Sequence, residues 1–146
     1  MPHTVHVSAI VHAPLEKVWA CFRDFDGLAR WQPGVAESRI EEGGRHDAVG
    51  SVRYLTGKSS GFVREKLLML DDPGTTLRYA VIETSLPLRD GIAGVSLHPI
   101  TESGHTLVQW WADFRVEGAP LSDVANAMQA MYATALAALD AKLREE

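Results

Sequence analysis

The sequence predicts an α+β fold: an antiparallel sheet of about seven strands, two short helices after the first strand, and one long C-terminal helix. Three features point there. Short alternating segments follow one another through the middle of the chain, separated by turn residues. After Pro120 the pattern changes to an apolar stripe at helical spacing in alanine-rich sequence. Near the start, a β-branched run leads directly into a proline-initiated amphipathic segment.

In chain order, Thr4–His12 (TVHVSAIVH) alternates and is rich in β-branched residues, which predicts a strand. It ends at Ala13-Pro14, where proline suits the first turn of a helix. Leu15, Val18, Trp19 and Phe22 then recur at helical spacing. Asp24–Trp31 reads as a further turn or two of helix, stopped by Pro33-Gly34. Six strands are predicted next, at Val35–Glu41, Gly50–Thr56, Gly61–Leu70, Thr76–Glu83, Ile92–Pro99 and Thr106–Val116. Gly43-Gly44, Gly57, Asp71-Asp72-Pro73-Gly74 and Ser103-Gly104 punctuate them. Connections this short favour antiparallel neighbours, because a parallel crossover needs a dozen or more residues. In the final helix Leu121, Val124, Ala125, Met128, Met131, Tyr132, Ala135, Leu139 and Leu143 form the apolar stripe.

The 146 residues suit one domain, 1–146, able to bury roughly 68–70% of its unfolded surface. Net charge is −5 and the 14 Lys and Arg residues are dispersed, so no basic stripe offers itself to nucleic acid. No stretch approaches the ~18 apolar residues of a membrane span. The opening MPHTVHV carries no basic region followed by an apolar one, and the lone Cys21 excludes an intrachain disulfide. Together these predict a cytoplasmic protein. Cys21 lies among Val18, Trp19 and Phe22 and reads as a small core residue. The six histidines form no compact ligand set, so no metal is expected. His98, on the parity of Ile92, Gly94 and Ser96, is kept as a candidate ligand contact. GxSxG, Walker-type and GxGxxG loops are absent, and no cofactor is called for.

Strand parity singles out two charges. In Gly61–Leu70, Arg64 and Lys66 mark the outer face, which turns Val63, Glu65, Leu67 and Met69 inward. On the preceding strand Arg53 shares its parity with Ser51 and Leu55. An Arg53–Glu65 pair inside an apolar chamber can orient a polar group of a ligand, and the carboxylate can transfer a proton. It can equally be a structural brace between two strands. Val108, Trp110, Ala112 and Phe114 share one parity, as do Leu77, Tyr79 and Val81; with Trp31, Met128, Met131 and Tyr132 they make either a packed core or the wall of a chamber. The segment Thr84–Gly91 (TSLPLRDG) has an apolar tip, Leu86-Pro87-Leu88, which suits a lid over a cavity mouth or a homodimer contact.

The segments HAPLEKVWACFRDFDGLARWQPGV, GSVRYLTG, VREKLLMLDD, LRYAVIE and VQWWADFRV resemble the polyketide cyclase/dehydratase branch of the SRPBCC (START-like) superfamily over essentially the whole chain. They look closest to the group that includes plant abscisic-acid receptors and lachrymatory factor synthase. The resemblance implies the helix-grip architecture, a curved sheet wrapped around the final helix with a ligand cavity between them. It also implies that Arg53 and Glu65 match a catalytic pair, that the Leu86–Leu88 tip closes over ligand, and that Gly91 stands where the synthase pocket has a tyrosine. One scaffold hosts many chemistries. Two functions therefore follow: a cyclase, dehydratase or isomerase acting through Glu65 and Arg53 on a small apolar or amphipathic molecule, or a non-catalytic carrier or sensor of such a molecule.

Overall fold

The computed structural model describes residues 2–59 and 61–146. The elements are β1 (Val5–Val11), α1 (Leu15–Arg23), a 3-10 turn (Leu28–Arg30), β2 (Val35–Ile40), a second 3-10 turn (Glu41–Gly43), β3 (Val52–Gly57), β4 (Phe62–Asp71), β5 (Thr76–Thr84), β6 (Leu88–Pro99), β7 (Thr106–Val116) and α2 (Leu121–Arg144). The seven strands form one sheet in the order β1-β7-β6-β5-β4-β3-β2. Every pairing is antiparallel. β2 to β7 thus form a meander, and β1 pairs with β7 at one edge while β2 lies at the other. The segment carrying α1 and the first 3-10 turn connects those two edges. The second predicted helix is this single 3-10 turn, bounded by Gly27 and by Pro33-Gly34.

The helix α2 is roughly 36 Å long at ~1.5 Å per residue and packs against β1 and β7. Its buried side chains are Val124, Tyr132, Ala135, Leu136, Leu139 and Leu143. Leu136 belongs to this face although the predicted stripe omits it. Leu121 departs the other way and is 49% exposed in the first turn. The His12 backbone N–H donates to Asp140 Oδ1 at 2.7 Å, and the His12 ring lies 3.0 Å from the same oxygen, which fixes the last third of α2 beside the end of β1. Val11 of β1, Val18 of α1, Val95 of β6, Val108 of β7 and Leu139 of α2 are fully buried in one core cluster. Burying a side chain of this size stabilises by about 1.5–3 kcal/mol. At the same end of the sheet, Trp19 Nε1 and Arg23 Nε both donate to Asp72 Oδ1 at 2.8 Å, fastening α1 to the β4–β5 turn. The Arg23 hydrogen bond holds the Asp72 carboxyl below its ordinary range.

Of the sheet's register irregularities, two change which side chains face the core or where a strand begins. β4 carries a bulge between Leu67 and Met69, so beyond it Leu70, not the expected Met69, packs against the core. β6 begins at Leu88 rather than Ile92 and is bulged between Arg89 and Ile92, where Asp90 has φ 55°. The anticipated loop Thr84–Gly91 is thereby reduced to a three-residue turn, Ser85–Pro87. On the outer face the Trp111 indole lies across Gly94, where a Cβ would come within 2.6 Å of the ring. Only glycine permits that approach. Among the described residues no helix is long and apolar enough to cross a membrane.

Candidate functional site

A cavity of about 380 Å³ lies between the N-terminal half of α2 and the inner face of β3, β4 and β5. It falls at the small end of the range in which proteins hold organic ligands. Leu28, Val35, Leu55, Val63, Val81, Leu88 and Met128 make its walls mainly apolar. Its rim includes Lys58 and Ser59 of the β3–β4 turn, Leu86 of the β5–β6 turn and Met131 of α2. The two turns touch: the Phe62 N–H donates to Ser85 Oγ at 2.9 Å, and Thr84 Oγ1 donates to the Phe62 carbonyl at 2.9 Å.

Arg53 and Glu65 face this chamber. They are direct register partners on β3 and β4, at 4% and 8% exposure. Alternation turns them inward together with Leu55 and Leu67. Arg53 Nε donates to Glu65 Oε1 at 2.8 Å, and Nη2 reaches the same oxygen at 2.7 Å. Nη1 points to the Phe25 carbonyl at 3.4 Å. The guanidinium carbon sits 4.0 Å from the centroid of the Phe25 ring and 4.8 Å from that of Tyr79, so aromatic faces cover the cation. Glu65 Oε2 has no hydrogen-bond partner among the described residues and is left to the cavity that Glu65 lines.

An aromatic wall stands opposite. Trp110 Nε1 donates to the Tyr79 hydroxyl at 3.1 Å, and the Tyr132 ring stacks on Trp110 with centroids 4.2 Å apart. Burial, reinforced by the Glu65 charge, pushes the Tyr79 phenol up to about 12. Burial also raises Tyr132 well above the ordinary phenol value, with the neighbouring Tyr79 adding to the effect. Both phenols are therefore uncharged donors and acceptors at neutral pH. A folded pKa above the unfolded value of about 10 gives stability that is intact below pH ~10 and lost as pH rises through the folded pKa. In Tyr54→Phe, which retains only Tyr79 and Tyr132, phenolate absorbance is expected to stay flat past pH ~10 and rise toward pH 12 together with unfolding. Absorbance rising near pH ~10 in still-folded protein contradicts this burial.

The chain's kinship is decided by comparison with known proteins. The family model described as "Polyketide cyclase / dehydrase and lipid transport" matches residues 2–144. The chain belongs to this family. Solved structures share the fold. XoxI from Bacillus cereus superposes with a TM-score of 0.86 at 24% identity, covering 98% of this chain and 96% of that one. A putative uncharacterised protein from Bacillus thuringiensis gives 0.84 at 24% identity, with 95% and 97% covered. A START superfamily protein from Mycobacterium smegmatis gives 0.82 at 16% identity, with 97% of each chain covered. The architecture of this polyketide cyclase/dehydrase family member is accordingly the helix-grip fold.

Within that family frame, the structure gathers most of the sequence-predicted residues in one place. Arg53, Glu65, Tyr79, Leu86, Trp110, Met128, Met131 and Tyr132 all border the main cavity. Phe114 instead borders a side chamber of about 30 Å³, together with Gly91, Ala93 and Ala112. Trp31 stands behind the wall, its ring edge-on to Phe22 at 5.0 Å and tilted against Trp110, so it supports the cavity without lining it. Pro87 does not reach the cavity; the tight turn that carries it brings Leu86 and Leu88 to the wall instead. His98 is misplaced by the sequence reading. It is exposed on the outer face, because the inward parity of β6 belongs to Ala93, Val95 and Leu97.

Gln32 went unforeseen: it is 4% exposed and lines the cavity, although beside Pro33-Gly34 it reads as a loop residue. At Gly91 an added Cβ would approach Val81 Cγ2 to 3.1 Å, so a tyrosine could enter only by displacing this wall. Cys21 is half-buried and its thiol is pushed up by that burial, which disfavours the reactive thiolate.

Proposed function

We propose that this chain binds a small, mostly apolar molecule in the chamber beneath α2, and that Arg53 and Glu65 act on the molecule's polar group. The supporting observation is the unshared oxygen Oε2 of a buried carboxylate, held by Arg53 on a mainly apolar wall. A carboxylate so placed can take a proton from a ligand hydroxyl or acidic carbon and return it elsewhere, the elementary step of cyclisation, dehydration and isomerisation. Arg53 keeps the carboxylate oriented through both of its bonds to Oε1. The resemblance to lachrymatory factor synthase, in which Arg53 and Glu65 would match a catalytic pair, supports this reading, while Gly91 in place of the tyrosine that the resemblance implies speaks for a different substrate.

A non-catalytic carrier is the second reading. It is favoured by the same apolar chamber and by the lipid-transport wording of the family description. Native mass spectrometry of the gently purified protein is expected to show a small organic adduct that is lost on denaturation. Incubating the loaded protein and watching whether the adduct's mass or structure changes separates enzyme from carrier. A protein that carries no adduct and takes up no apolar compound contradicts both readings.

A further inference from the structure

The charge arrangement around the chamber bears on which molecules it admits, given the ligand-binding reading on which this inference rests. Arg53 and Glu65 are the two buried charges of the wall, and they neutralise each other. The cation is already charge-paired: Nε and Nη2 each give an N–H to Glu65 Oε1, Nη1 is turned to the Phe25 carbonyl, and the Phe25 and Tyr79 rings pack against the guanidinium, so its remaining N–H groups carry no uncompensated charge. The anion is open through Oε2. The other buried polar side chains of the wall, Gln32, Tyr79 and Tyr132, are neutral. Lys58 is solvent-exposed at the rim, where an ion pair is worth little.

We propose that the chamber selects uncharged ligands that donate a hydrogen bond, such as an alcohol, phenol or enol, to Glu65 Oε2, and that it discriminates against carboxylates. A ligand that fills the chamber shuts Oε2 off from solvent; a hydroxyl then satisfies this acceptor, whereas a purely apolar ligand leaves it unpaired. A ligand carboxylate would set a second anion beside Glu65 with no buried unpaired cation to receive it.

Three aromatic probes of nearly equal size test this at neutral pH by isothermal titration: naphthalene, 2-naphthol and 2-naphthoate. The expected order on the wild-type protein is 2-naphthol tightest, by about tenfold or more over each of the others, the contribution of one charge-assisted hydrogen bond. In Glu65→Gln, which keeps the shape and unpairs the Arg53 charge, the ratio of 2-naphthoate to 2-naphthol affinity is expected to rise about tenfold or more. In the double variant Arg53→Met/Glu65→Leu the preference for 2-naphthol over naphthalene should vanish, to within about twofold, with melting temperature reporting a folded protein. Equal wild-type affinities for 2-naphthol and 2-naphthoate overturn the proposed ligand class, as does an unchanged ratio in Glu65→Gln. If all three probes bind equally, the ligand class falls and the chamber remains a binding site. If none binds, the binding reading falls with it.

Discussion

Replacing Arg53 with methionine is expected to destabilise the protein by about 3–5 kcal/mol, because it leaves the buried Glu65 carboxylate without its counter-charge. For a chain of 146 residues this amounts to a fall in melting temperature of roughly 10–15 °C. The loss belongs to the uncompensated charge more than to the bond itself. Arg53→Met/Glu65→Leu should therefore recover most of the lost stability, since exchanging a whole buried pair for apolar side chains is often neutral or favourable. Thermal unfolding of the two variants side by side measures this. If the double variant is no more stable than Arg53→Met, the cost lies in lost packing at Arg53 and not in electrostatics.

The second large effect concerns turnover. If Glu65 transfers a proton, Glu65→Gln preserves the size of the side chain and removes its basicity, so the rate of conversion of the physiological molecule should fall about 10²–10⁴-fold. Binding of that molecule should weaken far less, since the apolar walls formed by Leu55, Val63, Leu88 and Met128 are untouched. Turnover and affinity measured on the same folded variant separate this from a structural role. Unchanged turnover with a lowered melting temperature would assign the pair to bracing β3 against β4.

The inward placement of Arg53 and Glu65 was legible because strand alternation is strict and each is flanked by apolar residues of its own parity, Leu55 for one and Leu67 for the other. Alternation fails where a bulge inserts a residue, and nothing in Leu67-Leu68-Met69-Leu70 reveals which apolar side chain will be skipped. The start of β6 was hidden in the same way, since Leu88-Arg89-Asp90-Gly91 has the composition of a turn, yet it continues a bulged strand paired to β7. The outward direction of His98 is also written in its neighbours. Val95 and Leu97 are more apolar than Gly94 and Ser96, which already assigned the histidine to the outside. Which face of α2 closes the chamber was readable from its stripe, whereas the burial of Gln32 depends on tertiary packing around the Leu28–Arg30 turn and leaves no local trace.

The central claim is that the space beneath α2 is where a ligand goes, and filling it is the most direct test. Met128 lines both the main cavity and the side chamber, so Met128→Trp should occupy that space with a bulkier side chain. Titration of an uncharged hydrophobic fluorescent probe should show saturable binding to the wild-type protein and at least tenfold weaker binding to Met128→Trp, with the variant still folded by circular dichroism. Equal affinity for the two folded proteins would place the binding site elsewhere and contradict the account.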